Sequence, residues 1–205
     1  MKWYGWQVSS GKPADFSNKA VIAKQCLEIA NAAKFPTDYD DVFSHLFGNE
    51  NYTICMVYDD NNLIVGFSVF AKLEEINTLY LHGIVLHPKA QGKGLSFKMI
   101  QKIIDEANLS FLSARTRNPR MFETITKFAC SSNYCYPNLD NKEIPAHIFK
   151  LVKNNPFTND ADELLICRNA YPDKKLTQSF RDKRISSIFK QLNAKDAQVI
   201  VVKTK

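Results

Sequence analysis

Residues 80–96 read Tyr-Leu-His-Gly-Ile-Val-Leu-His-Pro-Lys-Ala-Gln-Gly-Lys-Gly-Leu-Ser, and a strand, a loop and a helix start can all be read within them. The apolar run from Thr78 to Leu86 has strand character and ends at Pro88, which has no N–H to give to a ladder. A short loop follows with Gln91, Gly92, Lys93 and Gly94. From about Leu95, the apolar residues Met99, Ile100, Ile103, Ile104 and Ala107 recur at helical spacing, while Lys98, Gln101, Lys102, Asp105 and Glu106 face the other way. The first amides of a helix have no internal partner and lie at the positive end of the aligned peptide dipoles. Glycines just before them let a ligand approach the backbone, where a Cβ would stand in the way. A strand feeding such a loop into a helix N-terminus predicts a pyrophosphate-bearing ligand.

The spacing narrows the choice of ligand. Gly92 and Gly94 are two apart and Leu95 stands where a P-loop needs lysine, so that pattern is absent. The dinucleotide fingerprint fails as well, because Phe97 occupies its third glycine position. Gln91-Gly92-Lys93-Gly94-Leu95-Ser96 fits Gln/Arg-x-x-Gly-x-Gly/Ala, with serine as the last small residue. Following a strand that ends Val-Leu-His-Pro, this hexapeptide resembles the acyl-CoA-binding motif of the GNAT superfamily of N-acetyltransferases. The competing reading is an ordinary strand–loop–helix turn that happens to use two glycines.

The resemblance extends to the order of elements. Trp3 to Ser9 reads as a strand, Ser17 to Lys34 as a helix capped by Ser17 with Val21, Cys26, Ile29 and Ala33 inward, and Asp38 to Phe47 as a second helix. Tyr52 to Tyr58 and Leu63 to Leu73 read as antiparallel partners across the Asp59-Asp60-Asn61-Asn62 turn. After the motif helix come a strand from Phe111 to Arg115, a helix from Pro119 to Phe128 and a last strand from Gln198 to Lys203. The fold class implied is α/β (α+β): a mixed, mostly antiparallel central sheet, splayed between two strands and flanked by helices. A single GNAT-like domain over residues 1–205 is expected, with an insertion at about 137–194 before the last strand. That region holds Pro137, Pro145, Pro156 and Pro172 and a basic helix-like stretch from Thr177 to Leu192. It has three uses open to it: lining the acceptor site, forming a homodimer contact, or decorating the surface.

Composition agrees with one folded chain. The 205 residues are 45% apolar, enough for a full core, and the net charge of +6 suits polyanionic ligands such as coenzyme A. Met1-Lys2-Trp3-Tyr4-Gly5 leads into polar sequence, unlike a secretory signal, and no apolar run is long enough for a membrane span. A cytoplasmic protein without a membrane partner is expected. The five cysteines, Cys26, Cys55, Cys130, Cys135 and Cys167, include no Cys-x-x-Cys pair, so reduced, mostly buried thiols and no metal are expected.

What the resemblance implies chemically is direct transfer of an acetyl group from acetyl-CoA, bound as acyl-donor substrate, to a small-molecule or peptide amine. The backbone of Ile84, Val85 and Leu86 is then expected along the pantetheine arm, and Gln91, Gly92, Lys93, Gly94, Leu95 and Ser96 around the pyrophosphate. Lys89 and Lys93 are candidates for outer phosphates. Asn118 matches an asparagine that often contacts the pantetheine arm, and as a residue before proline it is equally a helix cap. The family often has a tyrosine about seven residues later as proton donor to the thiolate. Ile125 stands there, so Tyr134, or its neighbour Tyr136, is the substitute candidate. His82 is the candidate general base, since an imidazole titrates near neutrality and can act through water; the competing reading is a histidine packed in the sheet. His87 is expected to be positional, and Glu74 and Glu75 are weaker bases. Two further readings stand beside the enzyme: a non-catalytic acyl-CoA-binding regulatory module, favoured by Ile125, and a nucleic-acid-binding protein using Lys174, Lys175, Arg181, Lys183, Arg184 and Lys190. The last ranks lowest, because no nucleic-acid motif accompanies the cluster.

Overall fold

Strands and helices form largely where the apolar periodicities put them. The computed structural model describes residues 2–3, 5–131, 134–138, 143–171 and 183–205. They divide into two units, one of residues 1–72 and 81–108, the other of residues 73–80 and 109–205.

In the first unit, β1 (Lys2–Trp3) and β2 (Trp6–Gly11) pair antiparallel with Trp3 opposite Trp6. The single strand expected from Trp3 to Ser9 is therefore a hairpin. Gly5, at φ +82°, supplies the left-handed residue that its turn needs. Helices α1 (Lys19–Ala32) and α2 (Tyr39–Phe47) follow. The cap of α1 is Asn18, in a left-handed conformation, and not Ser17. Its buried stripe is Ala23, Cys26, Ile29 and Ala30, and Val21 is 56% exposed because it lies more than 100° around the helix from Cys26. In α2, the Asp38 carboxylate caps the helix by accepting from the Asp41 N–H at 2.9 Å. Strands β3 (Tyr52–Tyr58) and β4 (Ile64–Leu73) form the antiparallel pair that the sequence predicts. β5 (Thr78–Leu86) begins in the second unit with residues 78–80 and continues in the first with 81–86. Strand order in the first unit is β1-β2-β3-β4-β5. Helix α3 (Leu95–Ala107) buries Leu95, Met99, Ile100, Ile103 and Ile104, the face expected of it.

In the second unit, Asn77 clamps the entry of β5 to that of β6 (Phe111–Thr116). Its side chain accepts from the Ser110 N–H and donates to the Ser110 Oγ, both at 2.9 Å. Helix α4 (Pro119–Thr126) and strand β7 (Cys135–Tyr136) come next, then α5 (Ala146–Asn154), β8 (Ile166–Cys167), α6 (Lys183–Phe189) and β9 (Ala197–Lys203). β9 pairs antiparallel with β6, and also with β7 and β8, which meet it at Val201–Val202 and Ala197–Gln198. Part of the expected insertion is built into the core. Its Ile148, Leu151, Val152, Ala161, Leu165 and Cys167 are buried in one core with Ala197, Val199 and Val201 of β9. Of the expected basic helix, Lys183–Phe189 is helical, and Lys174, Lys175 and Arg181 lie outside the described residues. Four of the cysteines are buried and Cys130 is exposed; burial pushes the Cys55 and Cys135 thiols up to about 12.

An ionic network ties this region to β9. The Arg168 guanidinium reaches Asp196 at 2.6 Å and Asp162 at 2.8 Å. The Asp162 carboxylate also accepts from the N–H groups of Leu164 and Ile166, each at 2.9 Å. Burial opposes ionisation of Asp196. The Asn193 N–H, the Arg168 guanidinium and the Asn169 N–H outweigh it and hold the carboxyl below the usual range. A lowered folded-state pKa gives stability that is present above the ordinary value of 3.8 and is lost as pH falls through the folded value. Asp196→Asn should therefore lower unfolding free energy by about 1–3 kcal/mol at neutral pH. It should also flatten the loss of stability below pH 3.8, as read by denaturant titration across pH.

Candidate functional site

The loop between β5 and α3 is shaped by its own side chains. Gln91 turns back and donates from Nε2 to the Leu86 carbonyl at 3.0 Å. His87 accepts from the Lys89 N–H through Nδ1 at 3.2 Å, which fixes the 3-10 turn Pro88–Ala90. The expected positional role of His87 thus takes a concrete form. Gly92 and Gly94 have φ of +74° and +73°, and Gly94 caps α3. A Cβ on either would meet no heavy atom within 4 Å, so the loop is open on that side. The first helical bond of α3 is donated by the Lys98 N–H to the Gly94 carbonyl, so the amides before Lys98 lie at the helix's positive end. A helix start with free space beside its two glycines has the chemistry to hold an anion.

The two loop lysines differ. Lys89 forms a 3.1 Å ion pair with Asp59, whose carboxylate also accepts from the Asn61 and Leu63 N–H groups at 3.0 Å. The Leu63 N–H and the Lys89 ammonium hold Asp59 below its usual range. Lys89 therefore anchors the loop to the β3–β4 turn. Lys93 is exposed, and its Nζ lies 4.9 Å from the centre of the Trp6 ring.

β5 changes character along its length. Thr78 to Leu81 and Leu86 are buried, whereas His82, Gly83, Ile84 and Val85 are half-exposed. A Cβ on Gly83 would touch nothing within 4 Å. A strand-interior glycine facing open space is what close approach of a ligand requires; this signal was present in the sequence and had no motif to announce it. Leu86 packs against Gly66, where a Cβ would collide with its Cδ2. Of the backbone expected beside the pantetheine arm, Ile84 and Val85 are thus the exposed part.

His82 sits in an aromatic setting. The His45 ring meets it edge-on at 4.6 Å between centres, and the Tyr52 ring lies 5.4 Å away. His45 Nδ1 is 3.2 Å from the Asp41 carboxylate, one helical turn earlier on α2. Burial pushes the Tyr52 phenol up and keeps it protonated. His45 and Tyr52 escaped the sequence reading, because only the fold brings α2 and β3 to β5. An imidazole held this way can accept a proton, with a carboxylate–imidazole pair and a protonated phenol beside it.

The remaining candidates lie in the second unit. Asn118 caps α4, its Oδ1 accepting from the Arg120 N–H at 3.0 Å, and its own N–H donates to Thr116 Oγ1 at 3.0 Å. Ile125 is fully buried in the core, so no proton donor occupies its position. Tyr134 is 42% exposed, with the Lys203 ammonium 4.9 Å from its ring centre. Tyr136 is buried, and burial pushes its phenol up. Glu74 and Glu75 are exposed in a 3-10 turn ahead of β5.

Comparison with known proteins gives the same outline. Residues 23–122 match the acetyltransferase (GNAT) family, a span that runs from α1 through the loop and α3 into α4. L-2,4-diaminobutyric acid acetyltransferase of Vibrio cholerae is 26% identical over 110 residues, 53% of this chain and 60% of that protein. The chain therefore spans less than two thirds of that relative's length. The crystal structure of the ribosomal-protein-S18-alanine N-acetyltransferase from Escherichia coli aligns over 97% of this chain and 95% of its own. Its TM-score is 0.50 at 16% identity, a likeness of fold. The mixed, mostly antiparallel sheet flanked by helices is the fold that the motif implied.

The cap gives a measurable consequence. Asn118→Ala removes the acceptor for the Arg120 N–H and should cost about 0.5–2 kcal/mol of stability in thermal unfolding. Asn118→Asp should restore most of it, since a carboxylate accepts the same bond; equal losses in both variants would show that the cap contributes nothing.

Proposed function

From the match of residues 23–122 to the acetyltransferase (GNAT) family, we propose that the chain is an acetyl-CoA-dependent N-acetyltransferase acting by direct transfer to an amine in a ternary complex. The observation that carries this reading is the open pair Gly92 and Gly94, left-handed and free of neighbours where Cβ atoms would stand, at the start of α3. Such a cradle fits a pyrophosphate. When bound, acetyl-CoA supplies the activated acyl group as a thioester. The chain's residues hold and orient it: Gln91 to Ser96 around the phosphates, with Gln91 and His87 keeping the loop in shape, and the half-exposed backbone of His82 to Val85 along the pantetheine arm. An amine attacks only when neutral, and His82, flanked by His45 and Tyr52, receives its proton directly or through water.

The acceptor is a small molecule or peptide amine. The name of the Vibrio cholerae relative makes diamino acids a sensible part of any panel, alongside peptides with a free N-terminus. A second reading, an acyl-CoA-binding module without chemistry, draws on Ile125, buried where the family often places its acid. Release of free CoA thiol in the presence of such a panel distinguishes the two: the enzyme reading requires it with at least one amine.

Two variants test the assignments. Gly94→Glu puts a side chain and a negative charge into the cradle, at a φ that L-residues rarely adopt. Calorimetry should find acetyl-CoA binding abolished while circular dichroism shows the fold retained; unchanged affinity in a folded variant contradicts the site. His82→Gln should keep acetyl-CoA affinity and lower turnover by ~10²-fold or more. The acidic limb of the pH–rate profile that belongs to His82 should vanish, leaving only the limb of the acceptor amine. Wild-type turnover with the same acidic limb would make His82 a packing residue.

A further inference from the structure

Trp6 opens β2 half-buried, and nothing in the proposed chemistry uses it. Its ring centre is 4.9 Å from the Nζ of Lys93, the residue between the two left-handed glycines of the loop. Lys89 is tied to Asp59 at 3.1 Å, whereas Lys93 makes no ion pair among the described residues. The turn before Trp6 packs against the side chain of Asp60. A Cβ on Gly5, in that turn, would come within 2.9 Å of Asp60 Oδ2, so the β1–β2 turn rests directly on the β3–β4 turn. That second turn also carries Asp59, which anchors the loop through Lys89. One end of the first unit's sheet therefore gathers an aromatic face, the ammonium that lies over it and the glycine loop.

We propose that Trp6 is the platform for the purine base of the acyl donor. This rests on the reading that the loop holds the donor's pyrophosphate. A nucleoside attached to that pyrophosphate carries its base to the loop's immediate surroundings, and the Trp6 ring is the aromatic face that the loop itself touches. In this structure Lys93 covers the ring. On binding, the ammonium moves on its flexible four-carbon stem to a phosphate, and the base takes its place on the indole. Both halves of the exchange are favourable: an exposed cation–π contact is weaker than base–aromatic stacking, and the ammonium gains a charged partner. Lys93 thereby serves as the cover of a base-binding face until the donor arrives.

The test compares acetyl-CoA with 4′-phosphopantetheine, which lacks the nucleoside, by calorimetry on the full chain. Trp6→Ala should weaken acetyl-CoA binding about tenfold and leave 4′-phosphopantetheine unchanged, with Trp6→Phe intermediate and Trp6→Leu no better than alanine. In a Trp3→Phe background, where Trp6 is the sole tryptophan, acetyl-CoA should quench its fluorescence and 4′-phosphopantetheine should not. This measurement stands even if the alanine variant fails to fold. Failure of the wild-type chain to bind acetyl-CoA overturns the donor-site reading and this inference with it. Wild-type binding together with unchanged affinity in Trp6→Ala, equal weakening for both probes, or no acetyl-CoA-specific quenching overturns the inference alone.

Discussion

Everything proposed for this chain depends on how it leaves β5 and enters α3. Between Leu86 and Leu95 the backbone must end a strand, change direction and start a helix with open space beside its two glycines. Proline ends the ladder, the His87 ring and the Gln91 amide hold the intervening turn, and two glycines take φ values near +74° that other residues avoid. The burial of Leu95, Met99, Ile100 and Ile103 then fixes the helix, so its positive end cannot drift from the loop. Ser10 adds a tether from β2 to the far end of α3, its Oγ donating to the Glu106 carboxylate at 2.9 Å. A rigid arrangement of this kind meets an anion with little reorganisation, which is what makes a helix start an effective binding site.

The surroundings of that turn divide the work among residues of like chemistry. Of two lysines four positions apart, Lys89 is structural, paired with an aspartate that also organises a neighbouring turn, and Lys93 lies over the Trp6 ring. Histidines divide in the same way. His87 shapes the loop through Nδ1, while His82 faces the half-exposed part of β5 among His45 and Tyr52. Distance along the chain does not foretell such divisions. They follow from which neighbours the fold supplies.

Much of this was legible in the sequence, and the exceptions have physical reasons. The limits of β3 and β5 fall on the residues where the apolar runs begin and end, because tight turns and a proline bound them. The start and face of α3 were equally plain from its period. At the N-terminus, one glycine at φ +82° converts the stretch from Trp3 to Ser9 into a hairpin, which residue pattern alone does not reveal. The cap of α1 falls one residue after Ser17, because Asn18 adopts the left-handed conformation that serine seldom takes. Region 137–194 gave no clear periodicity, since its short elements owe their order to β9: Ile166 and Cys167 pair with it, and the Arg168–Asp196 contact closes over it. At the site, the loop could be read from the hexapeptide, whereas Gly83, His45, Tyr52 and Trp6 carry no local pattern and gain meaning only from contacts far apart in sequence.

The central claim is that the Gly92–Gly94 loop and the start of α3 receive the pyrophosphate of an acyl-CoA. The most direct measurement is amide NMR of the isotopically labelled full chain during titration with coenzyme A. The account predicts that the largest shifts fall on the amides of Gly92 to Phe97 and of Gly83 to Val85, saturating together. Saturable shifts confined to other residues, or none at millimolar ligand, would contradict it.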